Sequence, residues 1–272
     1  MGWGSPAMND VRLMGYFFRR LLFQKLLWAF LAVFAITTFF SIFSFAMTLF
    51  FTRDASAENR EMILGFGLIT TESAISFHGA LLALVLAGFA AAALKSPDLE
   101  PILSKSTTRE QLFGTAIFAH FIPVVVYWLC FYLFFIYYIR YFGLTISEVI
   151  IYGIFMRLVM FSILYFGAAF LGTSLSLGLA FALVFILIVY AQVAPMLLSF
   201  RSMDQIYQFW IKVVLFFIPD LSQLDLLMKS FRTNIESDWS AIAGSIIYGF
   251  LWCLALVMAA LMVYRRKEFQ AM

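Results

Sequence analysis

Few residues in this chain of 272 have side chains suited to metal binding, nucleophilic attack or charge transfer while lying in or beside its long apolar runs. They are His78, His120, Cys130, Cys253, Glu72 and Arg157. His78 falls about five residues from the outer end of one run and His120 about seven from the inner end of the next. In antiparallel helices that places them roughly 13 Å apart along the membrane normal, too far to share a metal or haem iron. Both read as polar packing residues. Cys130 and Cys253 sit in apolar surroundings that disfavour a thiolate and read as small core residues; no disulfide framework is implied. The turn Gly172-Thr173-Ser174-Leu175-Ser176 has no histidine at reachable depth, which argues against a serine hydrolase, and neither HExxH nor GxxxxGK[ST] occurs. The chain is therefore expected to be non-catalytic, with no cofactor or metal of its own. An intramembrane charge is a functional signal by default. Arg157 is expected to snorkel outward or to pair with an outer carboxylate, Glu72 or Glu148.

These residues must be held by elements of one kind. Hydrophobic residues make up 64% of the chain and charged residues 12%, against roughly 45–50% and 25% in soluble domains. Such a composition excludes a fused soluble enzyme. Apolar runs at about 26–51, 73–94, 113–139, 151–171, 175–200 and 241–263 are each long enough to cross a bilayer, and their lack of ten-residue alternation excludes a barrel. The expectation is an all-α polytopic membrane protein with six transmembrane helices in a single membrane domain, 1–272. Arg12, Arg19, Arg20, Lys25, Lys95, Lys105, Arg109, Arg265, Arg266 and Lys267 then share one side, at higher density than the basic residues of the other, which predicts both termini inside. The net charge of +3 is too small to suggest nucleic acid.

Two segments depart from simple spans. Over about 9–25, Arg12, Arg19 and Arg20 fall within one arc and Leu13, Phe17, Phe18 and Leu21 away from it, predicting an amphipathic helix on the cytoplasmic membrane surface, in contact with lipid, before a first span that is retained rather than cleaved. Over about 204–232, an apolar stretch too short to cross is followed by Pro219 and by Leu221, Leu224, Leu227, Met228 and Phe231 at helical spacing, with Asp220 or Ser222 as cap. A re-entrant or interfacial helical pair between spans five and six is predicted; a seventh span would carry Arg265, Arg266 and Lys267 to the wrong side.

The loop at about 95–112 has a recognisable face. Pro97 and Pro101 punctuate it, Leu99, Ile102 and Leu103 supply apolar positions, and Thr107 or Thr108 is placed to cap a helix starting near Arg109. The run Leu99-Glu100-Pro101-Ile102-Leu103-Ser104-Lys105, followed by Arg109 and Leu112-Phe113-Gly114, resembles the same region of the ABC-2 type permeases, the membrane subunits of ATP-binding-cassette exporters. It departs from them at Ser106, where proline is usual, and Thr115, where lysine is common. The resemblance extends to the basic helix before the first span, the helix-break-helix segment and the short basic ending. It implies a dimer of this chain, or a pair with a similar one, in a bacterial-type cytoplasmic membrane. Two partner ATPase subunits would bind ATP and Mg and dock through Leu99, Glu100, Leu103, Ser104, Lys105 and Arg109.

A path at the dimer interface would draw on the few polar residues near the fifth span and on the second, namely Ser174, Ser176, Tyr190, Gln192 and Ser76. So sparse a lining does not identify a cargo. The alternative reading is a secondary transporter or channel-like protein uncoupled from any ATPase, which would show more buried coupling charges or inverted halves.

Overall fold

Apolar segments with no water to hydrogen-bond their backbone have to satisfy it internally, and the computed structural model does so with helices. It describes residues 10–51, 57–96, 99, 108–141, 145–176, 219–225 and 239–266, with isolated positions at 179, 180, 182, 183, 186, 207, 209 and 213. Among the described residues there is no strand. In chain order the long elements are α1 (Asp10–Leu22), α2 (Lys25–Phe51), α3 (Ala57–Leu94), α4 (Arg109–Tyr141), α5 (Glu148–Ser174) and α6 (Trp239–Arg266), with a 3-10 turn at Leu221–Leu224 before α6.

Four of these are long and apolar enough to cross a membrane: Ile63–Leu94, Arg109–Tyr141, Glu148–Ser174 and Ile242–Arg266. A fifth span is added if Val11–Leu22 and Leu27–Phe40, which meet at 66°, count as one. The protein is thus a multi-pass, all-helical membrane protein. Most of the sequence expected to form the span at 175–200 and the pair at 204–232 lies outside the described residues, as do Glu100, Leu103, Ser104, Lys105, Tyr190 and Gln192.

Packing centres on α5, which lies against α3 on one side and α6 on the other; α4 covers α3, α1 lies on α4, and α2 packs mainly along α3. Lipid supplies no hydrophobic drive for helix association, so close backbone approach has to come from small residues. They occur at the two main contacts. Gly79 of α3 faces the ring of Phe161, a Cβ on Gly172 would stand 2.8 Å from that of Ala91, and Gly249 of α6 receives Val159. Aromatic hydroxyls add cross-helix bonds: Tyr165 donates to the Ile117 carbonyl at 2.7 Å and Tyr127 to that of Ile75 at 3.0 Å.

Two expectations are corrected. The helix containing the predicted 73–94 span begins at Ala57, because Arg60, Glu61 and Glu72 lower the hydropathy of residues that are nevertheless helical. The amphipathic α1 is present, but its apolar face is not given to lipid: Leu13, Phe17 and Leu21 are buried against protein. Tertiary packing on α4 competes successfully for that face, and Arg12 and Arg19 stay exposed with Val11, Tyr16 and Phe23.

Candidate functional site

Side-chain chemistry concentrates at the two ends of the bundle. At the end where α5 begins, Arg157 lies nine residues after Glu148, about 14 Å along the helix axis. Its Nε donates to Glu72 Oε1 at 2.6 Å and its Nη2 to Asp225 Oδ1 at 2.7 Å. Tyr132 of α4 also donates to Glu72 Oε1, at 3.3 Å. The side chains of Arg157 and Glu72 are 5% and 0% exposed, whereas Asp225 is 34% exposed. Four elements thus meet in one cluster: α5 and its guanidinium, α3 through Glu72, the segment after the Leu221–Leu224 turn through Asp225, and α4 through the Tyr132 bond to Glu72.

That turn reaches the bundle because Leu224 is fully buried and packs beside Gly249, while the backbone N–H of Asp220 donates to the Tyr248 hydroxyl at 2.7 Å. Irregular backbone is tolerated at membrane depth only where protein covers it, and α5 and α6 supply that cover here. Leu221 and Leu224 of the predicted apolar face are buried, while Leu227, Met228 and Phe231 lie outside the described residues. Glu72 Oε2 is buried with no partner among the described residues. With two carboxylates against one guanidinium, the cluster is a site of excess negative charge in a low-dielectric setting, suited to holding the 3-10 turn on the bundle and able to accept a proton or cation.

Pairing of Arg157 with Glu72 follows the sequence reading; Asp225 does not. Nothing in its spacing relates it to Arg157, 68 residues away in the chain. The signal available was that Asp225 follows Pro219 inside an apolar segment, where an acidic residue needs a counter-charge.

The opposite end carries the residues read as a docking face. Thr108 and Gln111 form a reciprocal cap at the start of α4: the Thr108 N–H donates to Gln111 Oε1 at 3.1 Å, and the Gln111 N–H to Thr108 Oγ1 at 3.2 Å. Arg109, half-buried, is the first residue of the helix. Leu99 is fully buried in the core, so in this arrangement its side chain anchors the loop instead of facing a partner. Nearby, Lys95 Nζ donates to the Leu175 carbonyl at 2.6 Å, a cation on the carbonyl end of α5, and Arg265 Nε lies 2.9 Å from Glu110 Oε1. Arg20 Nη2 donates to Ser96 Oγ at 3.2 Å, and Arg19 stacks over the Phe23 ring at 5.8 Å. The first turns of α2 also secure the break after α1: Trp28 Nε1 donates to the Leu22 carbonyl at 2.7 Å.

The residues expected to line a path are dispersed. Ser174 ends α5 and donates to its own helix at the Phe170 carbonyl, 2.8 Å, so it belongs to α5 and not to the following span. Ser176 is exposed just beyond the helix and Ser76 half-buried on α3, one turn from Glu72. The two histidines are in different places, as expected. His78 meets Thr37 Oγ1 at 3.0 Å and Thr38 Oγ1 at 3.2 Å and stacks on Phe34, tying α3 to α2, while His120 Nδ1 donates to the Ala116 carbonyl at 2.8 Å. Among the described residues no three His, Cys, Asp or Glu side chains converge as metal ligands would. Comparison of the chain with protein-family models, with curated proteins and with solved structures finds no match.

Proposed function

We propose that this chain is the non-catalytic membrane subunit of an ATP-binding-cassette exporter of the ABC-2 type. It would have six spans with both termini inside, in a bacterial-type cytoplasmic membrane, and pair with a second copy or a similar chain. Two separate ATPase subunits would bind ATP and Mg and drive it.

The observation that carries the reading is the meeting of three features at one end of the bundle. They are the basic amphipathic α1, the buried loop anchor Leu99 and the capped start of α4 at Thr108. A push on the 95–112 loop would reach α4 directly through its first turn, α3 through Leu99 and Ser96, and α5 through Lys95. In this reading Leu99 holds the loop, and Glu100, Leu103, Ser104, Lys105 and Arg109 meet the ATPase. Membrane lipids surround the helices.

The test is co-purification in detergent with the ATPase encoded nearest this chain's gene. A complex with two copies of each that is lost in the double variant Glu100→Lys/Lys105→Glu supports the reading; a chain that elutes alone and ignores the substitutions overturns it. A second reading, a secondary transporter, draws on the buried Glu72 and Arg157 and the half-buried Asp225. It predicts ion-gradient-driven uptake or release in vesicles without any ATPase, abolished by Glu72→Gln.

A further inference from the structure

The surface that α1 turns away from the bundle has two flanks. Leu13, Phe17 and Leu21 are buried against protein. Of the others, Arg12, Tyr16, Arg19 and Phe23 recur at spacings of four, three and four, and all are exposed. Val11 and Leu22, also exposed, fall roughly 80° further round the helix. The uncovered surface of α1 is therefore amphipathic in its own right, basic and aromatic on one flank and aliphatic on the other. Arg12 and Lys25 form no hydrogen bond or ion pair among the described residues, and Arg19 stands over the Phe23 ring at 5.8 Å.

The neighbouring helix fixes the level at which this surface lies. Phe23 and Gln24 are all that separate α1 from α2, and the two helices meet at 66°, so α1 turns aside from the direction in which α2 runs. Trp28, one turn into α2, is 56% exposed, and its indole N–H donates to the Leu22 carbonyl at 2.7 Å. Indole rings gather at the level of lipid headgroups. The bond to Leu22 places the end of α1 at that same level.

We propose that this outward face of α1 binds the headgroups of anionic phospholipids in the cytoplasmic leaflet. Arg12 and Arg19 pair with phosphate oxygens, Lys25 adds charge, and Val11 and Leu22 meet the first acyl carbons. An ordinary surface helix enters lipid through its main apolar stripe, and here that stripe is used on protein. The attraction has to come chiefly from charge, so it selects anionic over neutral lipid. Aromatic side chains interleaved with the basic ones, beside an exposed tryptophan, fit a headgroup layer better than they fit the acidic face of a soluble protein.

The inference takes the inner placement of α1 from the proposed topology and nothing from ATPase coupling; a chain that captures no ATPase leaves it standing. The test uses the purified full-length protein in nanodiscs of dioleoylphosphatidylcholine alone or mixed equally with dioleoylphosphatidylglycerol. Thermal unfolding is followed in both at low and high salt, and native mass spectrometry counts retained lipid. The expected result is a higher Tm in the mixture, with the difference shrinking at high salt as the charges are screened. In Arg12→Gln/Arg19→Gln, retention of phosphatidylglycerol should fall about tenfold or more while the Tm in phosphatidylcholine stays unchanged. Arg12→Lys/Arg19→Lys should keep most of the retention, and Arg265→Gln/Arg266→Gln, which removes exposed charge elsewhere at the same end, should keep the Tm difference. No preference for phosphatidylglycerol in the wild type overturns the proposal and leaves the face to an acidic protein surface. A preference undiminished in Arg12→Gln/Arg19→Gln, or lost equally in Arg265→Gln/Arg266→Gln, overturns it in favour of the general charge of that end. A Tm lowered as much in phosphatidylcholine alone overturns it too, by assigning the two arginines to the fold.

Discussion

Arg157 joins α3 to the chain following the 3-10 turn: its Nε binds Glu72 at 2.6 Å while its Nη2 binds Asp225 at 2.7 Å. The two bonds are unequal in setting, since Glu72 is sealed and Asp225 is one-third exposed. Removing one partner of a buried pair leaves an uncompensated charge, whereas removing both can be nearly neutral. Arg157→Met is therefore expected to destabilise by ~3–5 kcal/mol, and Glu72→Leu combined with Arg157→Met to recover much of that loss. Asp225→Asn should have a clearly smaller effect. Thermal unfolding of the purified variants checks the ranking, and an Asp225→Asn loss equal to that of Arg157→Met would refute it.

Close approach of α3 and α5 depends on Gly79. Any Cβ there meets the ring of Phe161, which is itself fully buried and has no free direction to turn. Gly79→Ala is expected to destabilise by ~1–3 kcal/mol, the usual penalty of overpacking, and Phe161→Leu in the same chain should relieve part of it. Gly15 and Gly65, where nothing stands within 4 Å, serve as controls: alanine at either position should leave unfolding unchanged or raise it slightly. Equal effects at all three glycines would mean that backbone entropy, and not the Phe161 contact, sets the result.

What the sequence made legible was what depends on local pattern. The Thr-x-x-Gln spacing of Thr108 and Gln111 announces a helix start, and the burial of Leu13, Phe17 and Leu21 follows from their spacing of four residues. The Arg157–Glu72 pair was legible in part: a guanidinium below the surface needs an anion at its level or a path outward, which left Glu72, Glu148 and snorkelling open, and the fold takes Glu72. Less legible was what depends on which partner wins. Hydropathy places α1 on lipid, but packing on α4 buries it; hydropathy also ends the second span near Ser73, because a window average counts Glu72 as exposed when a partner has neutralised it. The Asp225 contact and the His78 bonds to Thr37 and Thr38 join distant segments, and no periodicity encodes them.

The start of α4 offers a contrast between a cap and a surface ion pair. Thr108 and Gln111 satisfy two orphan backbone donors at the helix start. Thr108→Ala is expected to lose ~1 kcal/mol of stability. Arg265→Ala breaks the pair with Glu110, but both side chains are about half exposed, where screening and side-chain entropy consume the gain, so unfolding should be unchanged within error. Unfolding measurements on both variants decide it. A large loss for Arg265→Ala would show that the α4 and α6 ends depend on each other more than their exposure allows.

Sidedness follows from which ends the side chains tie together. Lys95 reaches the Leu175 carbonyl and Glu110 reaches Arg265, so the ends of α3, α4, α5 and α6 carrying these residues lie together, while Glu72, Arg157 and Asp225 gather toward the other end. Basic residues are concentrated at the first end, which the proposed topology, resting on that charge bias, places inside. With Cys130 and Cys253 replaced by alanine, single cysteines at Lys25, Ser96 and Arg266 are expected to react with a membrane-impermeant maleimide only in inverted vesicles. Cysteines at Asn59 and Thr145, both exposed near the far helix ends, should react in right-side-out vesicles. Labelling of the Lys25 and Arg266 positions from opposite faces would require an odd number of crossings between them and exclude the six-span arrangement; labelling of Lys25 only in right-side-out vesicles would overturn the inner placement of α1.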